Sequence, residues 1–222
     1  LDAKWINSAN REQAELSGYT VVDAPTVLAT HLTEIIKTYA YDLLSRQDVK
    51  KLIDHVKEEA PSVVEELIPD LLNLGQIQKV LTNLLRERVS IKDMVTILET
   101  LADYAPLSKD IDRLTEHVRQ ALARQIVQPL LDAEKKLPVL TIEPRIEQMI
   151  LDNIRPSEYG NYVNLDPTMV QGLIRTIATE TERIVLNGYN PVLLCAPIAR
   201  LYLKRMTERQ IPHLVVLSYN EL

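Results

Sequence analysis

The sequence has 222 residues, of which 46% are hydrophobic and 25% charged, a balance typical of a globular rather than a disordered chain. Its 25 Lys and Arg against 31 Asp and Glu give a net charge of −6. That balance argues against nucleic-acid binding and against a polybasic membrane anchor, because both require a positive field. One cysteine excludes an internal disulfide and a multi-cysteine zinc site, and 5 glycines leave little material for phosphate-binding loops.

The N-terminal part predicts two helices joined by a short strand. The first helix spans Ser8 to Ser17 and ends at Gly18, a suitable residue to follow a helix. Tyr19-Thr-Val-Val22 is a β-branched run typical of a strand. The second helix begins near Asp23 and Pro25, since proline is favoured in a first helical turn. Apolar residues at three-and-four spacing make this helix amphipathic: Val27, Leu28, His31, Leu32, Ile35 and Ile36.

Residues 44–123 predict an all-helical module with short connections. Ser45-Arg-Gln-Asp48 and Ser90-Ile-Lys-Asp93 both resemble capping boxes that begin a helix. Prolines mark the breaks between helices, at Pro61, Pro69 and Pro106. Apolar residues at helical spacing define a further helix between the two capped ones: Ile77, Val80, Leu81, Leu84 and Leu85.

Residues 124–222 predict an α/β module. Three compact apolar runs are typical of buried strands: 138–142, 191–195 and 214–217. Helical patterns separate or follow them, at 143–154, 167–187 and 198–210. Alternation of strand and helix indicates a small, mainly parallel sheet with helices packed on it.

Few residues point to catalysis. Four histidines lie on separate predicted elements without metal-ligand spacing, although a site could still assemble in three dimensions: His31, His55, His117 and His213. Cys195 ends an apolar strand before a helix, where it is either a nucleophile or a small buried hydrophobe. The turns at Glu143-Pro144 and Ala196-Pro197 lack the glycines of a nucleotide site. We therefore expect no catalytic residue, no metal and no cofactor.

The segment from Tyr19 to Thr30 joins the predicted strand to the amphipathic helix. Its small and β-branched residues either leave a shallow apolar hollow for a partner helix or an aromatic side chain, or form ordinary core. The chain begins without a methionine, which predicts a fragment or a processed piece. Since no apolar run approaches the roughly 20 residues that span a bilayer, we expect this piece to be soluble.

Four segments resemble the export-gate family of type III secretion systems, and its flagellar members most closely. They are Tyr19-Thr-Val-Val-Asp-Ala-Pro-Thr-Val-Leu-Ala-Thr-His-Leu32, Arg46-Gln-Asp48, Ile97-Leu-Glu-Thr-Leu-Ala-Asp-Tyr-Ala105 and Val216-Leu-Ser-Tyr-Asn-Glu-Leu222. The resemblance runs along the whole chain in one order. It implies an integral membrane protein whose cytoplasmic C-terminal region, at the bacterial inner membrane, has four subdomains arranged in a homo-oligomeric ring, commonly a nonamer.

Mapped on that family, residues 1–23 would end a truncated second subdomain and 24–43 would close the first. Residues 44–123 would form the helical third subdomain and 124–222 the α/β fourth. The resemblance thus implies an α+β, multi-subdomain fold. It would combine a partial ferredoxin- or thioredoxin-like piece with an all-helical middle module and a C-terminal α/β module.

The resemblance also implies a docking platform that binds export chaperones loaded with late flagellar substrates and hands the substrates to the membrane channel. The matching chaperone-binding positions are Val21, Val22, Val27 and Thr30, and Ser90 falls at a hinge-like turn. Further expected partners are the ATPase complex and other components of the export apparatus, but no nucleic acid. Two alternatives remain: the equivalent gate of a virulence secretion system, and a nucleotide-dependent enzyme that uses the C-terminal sheet.

Overall fold

The structure is a computed structural model that describes residues 3–157 and 160–222. Within these ranges the chain forms an N-terminal helical segment, a helical module and an α/β module. None of the described helices combines the length and the apolar composition needed to cross a membrane.

The N-terminal segment contains two helices and no strand among its described residues. A 3-10 turn at Ser8–Asn10 leads into α1, Arg11–Leu16, which ends before Gly18 in the left-handed region at φ +84°. Helix α2 spans Ala24–Leu43. The strand predicted over 19–22 is wrong, because no described strand lies beside these residues to pair with them. A β-branched run forms a strand only where a neighbour accepts its backbone hydrogen bonds.

The helical module contains five main helices: α3 (Arg46–Glu59), α4 (Pro61–Leu67), α5 (Leu74–Arg86), α6 (Met94–Tyr104) and α7 (Ile111–Ala121). The predicted capping box at the start of α3 is confirmed, because Ser45 Oγ accepts from the Asp48 backbone N–H at 3.2 Å and Asp48 Oδ2 accepts from the Ser45 N–H at 3.2 Å. A continuous apolar core runs through the module, with fully buried members at Val49, Leu67, Ile77, Leu84, Ile97, Leu101 and Leu114. The prediction of an all-helical middle module is confirmed.

The predicted start of α6 is one turn too early. Asp93, not Ser90, is the residue before the helix, and its carboxylate accepts from the Thr96 backbone N–H at 3.2 Å. Ser90 lies earlier, in the turn between α5 and α6, where its hydroxyl accepts from the Lys92 N–H at 3.4 Å. Asp93 caps the N-terminus of α6 because it lies three residues before Thr96, the spacing at which a side chain reaches a free N–H of the first turn.

Helix α8 (Ala123–Val127) and a 3-10 turn lead into the α/β module. That module contains, in chain order, β1 (Leu140–Thr141), α9 (Pro144–Asp152), β2 (Ile154–Ser157), β3 (Gly160–Val163), α10 (Pro167–Leu186), β4 (Val192–Cys195), α11 (Pro197–Thr207) and β5 (Val215–Ser218). The sheet order is β1-β4-β5 and both pairings are parallel, with Leu193 opposite Val216. The predicted small parallel sheet is confirmed.

The hairpin of β2 and β3 was missing from the prediction. Its two strands pair antiparallel, with Arg155 opposite Tyr162. All eight residues of the two strands are exposed or half-buried. The hairpin therefore lacks the apolar alternation by which a strand is recognised in sequence.

Candidate docking surface

Helix α2 presents its apolar residues to solvent. None of its 20 residues is buried. At about 100° per residue, five large side chains share one side, and we call them the apolar stripe: Leu28, Leu32, Ile35, Ile36 and Tyr39. Leu28 is 66% exposed and Leu32 57%. A contiguous apolar surface of this kind marks a place where another segment or another protein packs.

Polar contacts hold α2 to the helical module on the side away from the apolar stripe. Arg88 donates to Thr38 Oγ1 at 2.8 Å, and another of its nitrogens lies 3.5 Å from Glu34 Oε2. The Arg86 guanidinium lies 5.1 Å from the centre of the Tyr41 ring, a cation–π distance. All these α2 residues belong to its C-terminal half, so the N-terminal half of α2 is the more accessible one.

The predicted chaperone-binding residues lie at that accessible end. Val21 is half-buried and Val22 exposed, and both directly precede α2. Val27 and Thr30 are exposed on the helix, three residues apart and therefore adjacent on its surface. Thr30 lies about 60° around the axis from Val27, on the side away from the apolar stripe. The structure thus brings Val27 and Thr30 together on the surface of α2, outside the apolar stripe.

A buried cluster of charged side chains joins the helical module to the α/β module. Arg200 of α11 is fully buried and donates to both oxygens of Glu87, at 2.7 and 3.0 Å, and also pairs with Glu116 of α7. Arg119 of α7 lies 3.1 Å from Glu87 Oε2 and 2.8 Å from Glu221 Oε1. We call these five residues the charged interface. Each guanidinium contacts two carboxylates, which compensates the cost of burying it.

The charged interface also occupies the open edge of the sheet. β5 is an edge strand, and the Val216 carbonyl on its unpaired side accepts from both guanidinium groups, each at 3.4 Å. Lys204 donates to the Leu214 carbonyl at 2.9 Å, and the Ser218 N–H donates to Glu221 Oε2 at 2.7 Å. An unpaired edge is otherwise a template for strand addition, so these side chains protect β5 from pairing with another chain.

The two carboxylates that share Arg200 differ in their pKa. Burial opposes the charged form of Glu87, but Arg119 and Arg200 outweigh it and lower the pKa of Glu87 to about 2. Burial raises the pKa of Glu116, because Arg200 is shared with Glu87 and does not compensate fully. Burial also lowers the pKa of Lys204. Glu116 therefore protonates before Glu87 as the pH falls.

The charged interface is absent from the sequence-based predictions, although α11 carries a signal for it. Ala199, Leu203 and Thr207 are buried and recur every four residues along α11. Arg200 and Lys204 follow the first two of them directly, so they lie on the border of the buried face rather than opposite it. Charged residues in that position on a helix that also packs on a sheet indicate buried ion pairs.

Cys195 and His117, which were considered for catalysis, are packed against other side chains. Cys195 is fully buried, and burial raises the pKa of its thiol to about 12, which favours the buried-hydrophobe interpretation over a nucleophile. The His117 ring stacks on Tyr104 with 3.8 Å between ring centres. Within 3–157 and 160–222, no group of three or more His, Cys, Asp or Glu is arranged to hold a metal ion.

Comparison with known proteins identifies the family. The model of the FHIPEP family matches residues 1–222. The chain belongs to the FHIPEP family. It is 48% identical over 222 residues to the flagellar biosynthesis protein FlhA of Bacillus subtilis and 40% identical to FlhA of Escherichia coli, over 100% of this chain in each case. It spans 33% and 31% of those two proteins, about a third of their length.

Solved structures support the same assignment for this FHIPEP-family chain. The CdsV protein of Chlamydia pneumoniae superposes with a TM-score of 0.87 at 29% identity, covering 100% of this chain and 64% of CdsV. The cryo-EM structure of nonameric EPEC SctV-C gives 0.84 at 30% identity, covering 98% of this chain and 65% of that one. The resemblance to type III export-gate proteins and the α+β fold with a small parallel sheet are therefore both confirmed.

Proposed function

We propose that the chain is part of the cytoplasmic docking platform of a flagellar type III protein export gate. On this proposal it binds export chaperones with their late substrates and hands the substrates to the membrane channel, at the cytoplasmic face of the bacterial inner membrane. The higher identity to FlhA, 48% for Bacillus subtilis against 29% for CdsV, supports a flagellar rather than a virulence system.

The exposed apolar stripe of α2 is the observation that carries this proposal. Residues 24–43 would close the first subdomain and 1–23 end the second. The curated relatives are about three times as long as the chain. In a protein of that length the stripe would pack on other residues of the first subdomain. Val27 and Thr30 lie outside the stripe, so together with Val21 and Val22 they would border the junction of the two subdomains and remain accessible to a chaperone.

Assembly into a ring is the second part of the proposal. One solved relative is a nonameric SctV-C. Another is a complex of the Chlamydia pneumoniae proteins CdsV and CdsO. By analogy, copies of this chain's parent protein would form a homo-oligomeric ring and contact further export components, the ATPase complex among them. Ser90, in the turn between α5 and α6, would serve as a hinge.

The platform would act without catalysis. The buried, high-pKa thiol of Cys195 is unsuited to nucleophilic attack, and the strand-to-helix turn at Ala196-Pro197 offers no glycine to a phosphate. Handover would then depend on different affinities of open and closed arrangements for the same chaperone.

The test is calorimetric titration of a flagellin–chaperone complex into the complete cytoplasmic region, with Thr30→Asp and Thr33→Asp compared. Both variants add one negative charge to an exposed threonine of α2. Thr30 lies about 60° from Val27, whereas Thr33 lies about 120° from Val27, on the flank of the apolar stripe. A charge placed in an apolar contact costs about 1 kcal/mol or more, so we expect Thr30→Asp to weaken binding about fivefold or more. Thr33→Asp should bind like the wild type.

Equal binding by both variants would move the docking site away from Val27 and Thr30. Absence of binding by the wild type would contradict the flagellar assignment. In that case, binding of chaperones from a virulence system would support the second candidate, the equivalent gate of such a system.

A further inference from the structure

A cavity of about 780 Å³ opens where the end of α2, the helical module and the α/β module meet. Thr38 and Tyr41 line it from α2, Ser90 from the turn after α5, and Pro212 and Val215 from the approach to β5. Its volume falls within the roughly 300–1,000 Å³ typical of ligand sites. It is separate from Val21, Val22, Val27 and Thr30, so an occupant here would not compete directly for the proposed chaperone site.

The walls of the cavity are positive although the protein is acidic. Five cationic residues line it against two carboxylates, Glu87 and Glu208. Glu34 and Glu221, which pair with Arg88 and Arg119 from outside the lining, reduce the surplus from three positive charges to one. The cationic residues are Arg86, Arg88, Arg119, Lys204 and Arg209. A concave surface lined by one sign of charge focuses the field and attracts the opposite sign.

Several of these cations have unused donors. Arg119 is 2% exposed, and its Nε has no hydrogen-bond partner among the described residues. Buried donors without a partner are rare in proteins. Arg209 and Arg86 are exposed, and within the described part of the chain neither forms an ion pair. The exposed donors of Arg86 and Arg209 are therefore available to carboxylates from outside.

The remaining wall is apolar, which bears on the kind of anion that fits. Ile126, Pro129, Leu130, Pro212 and Val215 contribute aliphatic surface between the cations. A small inorganic anion would leave this surface in contact with water. A peptide with alternating acidic and aliphatic side chains would cover it while its carboxylates pair with the arginines.

We propose that this cavity binds an acidic, aliphatic-rich peptide segment of a partner protein, with carboxylates paired to Arg86 and Arg209. The segment would contact α2 through Tyr41 and the α/β module through Pro212. Binding would therefore fix the position of α2 relative to the α/β module. The proposal holds whether or not chaperones dock at Val27 and Thr30.

Fluorescence anisotropy of labelled peptides tests it on the whole chain. The probe is a ten-residue peptide that alternates Glu with Leu, and its control carries Lys in place of Glu. The variant Arg86→Glu with Arg209→Glu reverses two cations of the cavity. The matched control, Lys50→Glu with Lys79→Glu, makes the same change of charge at exposed lysines outside the cavity.

We expect saturable binding of the acidic peptide, weakened at least about tenfold by the arginine pair and less than about twofold by the lysine pair. The lysine-containing peptide should not bind. Circular dichroism establishes that both double variants are folded. Equal weakening by the two double variants would show a non-specific charge effect and overturn the proposal, as would absence of binding to the wild type. Displacement of the peptide by millimolar phosphate would overturn the proposal and indicate that the cavity binds an inorganic anion.

Discussion

Helices α2 and α6 have comparable apolar patterns and opposite surroundings. Helix α6, Met94–Tyr104, buries Ile97, Leu98 and Leu101 completely, whereas α2 buries none of its residues. What differs is the neighbour. Helix α6 lies between α4 and α7, while α2 packs along one side on α5 and is held there by polar contacts with Arg88. Amphipathicity therefore fixes which side of a helix will be covered, but the partner that covers it lies elsewhere in the sequence or in another molecule.

The same contrast holds for charge. In the ion pairs of α2, such as that of Lys37 with Glu34, both side chains are exposed to solvent. The pairs of the charged interface are buried, with Arg200 fully enclosed and Arg119 2% exposed. Exposed pairs contribute little to stability, whereas breaking a buried one leaves an uncompensated charge. The comparison predicts that the body of the molecule is sensitive to substitution and that α2 is tolerant.

The largest expected effect is at Glu87, which compensates both buried guanidinium groups. Glu87→Gln should lower the free energy of unfolding by about 3–5 kcal/mol, because it leaves Arg119 and Arg200 short of a carboxylate. Glu34→Gln on α2 is the matched control and should change it by less than about 1 kcal/mol. Urea unfolding followed by far-UV circular dichroism measures both, since Trp5 is exposed and a poor reporter. An equal loss of unfolding free energy in Glu87→Gln and Glu34→Gln would contradict the expectation that the charged interface is more sensitive to substitution than α2.

Truncation of apolar side chains sharpens the contrast further. Leu101→Ala empties part of the core of the helical module, so we expect a loss of about 2–5 kcal/mol. Leu32→Ala removes a side chain that is already 57% exposed and should cost less than about 1 kcal/mol. The same urea experiment reports both values. A large loss for Leu32→Ala would mean that α2 is packed in solution, by a second copy or by part of the chain.

The pH dependence of stability gives an independent measure of the charged interface. Because the pKa of Glu87 is lowered from 4.5 to about 2, its contribution is present above pH 4.5 and is lost as the pH falls toward 2. The shift corresponds to about 3 kcal/mol over that window. The difference in unfolding free energy between wild type and Glu87→Gln should therefore shrink as the pH falls from 5 to 3. A constant difference would contradict the lowered pKa.

Local patterns account for much of the fold. The capping box at Ser45 forms as predicted, and α10 and α11 form close to the predicted ranges 167–187 and 198–210, because each helix start depends on residues within one turn. The strands β4 and β5 follow from continuous apolar runs. The segment 19–22 has the composition of a strand but forms none, because no described strand lies beside it to pair with. The two strands of the hairpin 154–163 pair with each other although their composition is not typical of strands.

The candidate docking surface was predictable only in part. The spacing of apolar residues placed Val27 on an amphipathic helix, and the resemblance supplied its expected role. The position of Arg200 and Lys204 on α11 indicated buried ion pairs, but their carboxylate partners could not be predicted, because these depend on α5, α7, α11 and the C-terminal turn meeting in space. Contacts between residues 84 to 113 positions apart leave no local pattern.

Helix capping provides the finest comparison and the smallest expected effect. The Ser45 hydroxyl accepts a hydrogen bond at the start of α3, while Asp23 at the start of α2 accepts none through its side chain. We expect Ser45→Ala to lower the free energy of unfolding by about 1 kcal/mol and Asp23→Ala to lower it by only a few tenths, the residual effect of its charge near a helix N-terminus. Urea unfolding of both variants measures the difference. A cost at Asp23 equal to that at Ser45 would show that α2 is anchored at its N-terminus as firmly as the helices of the core.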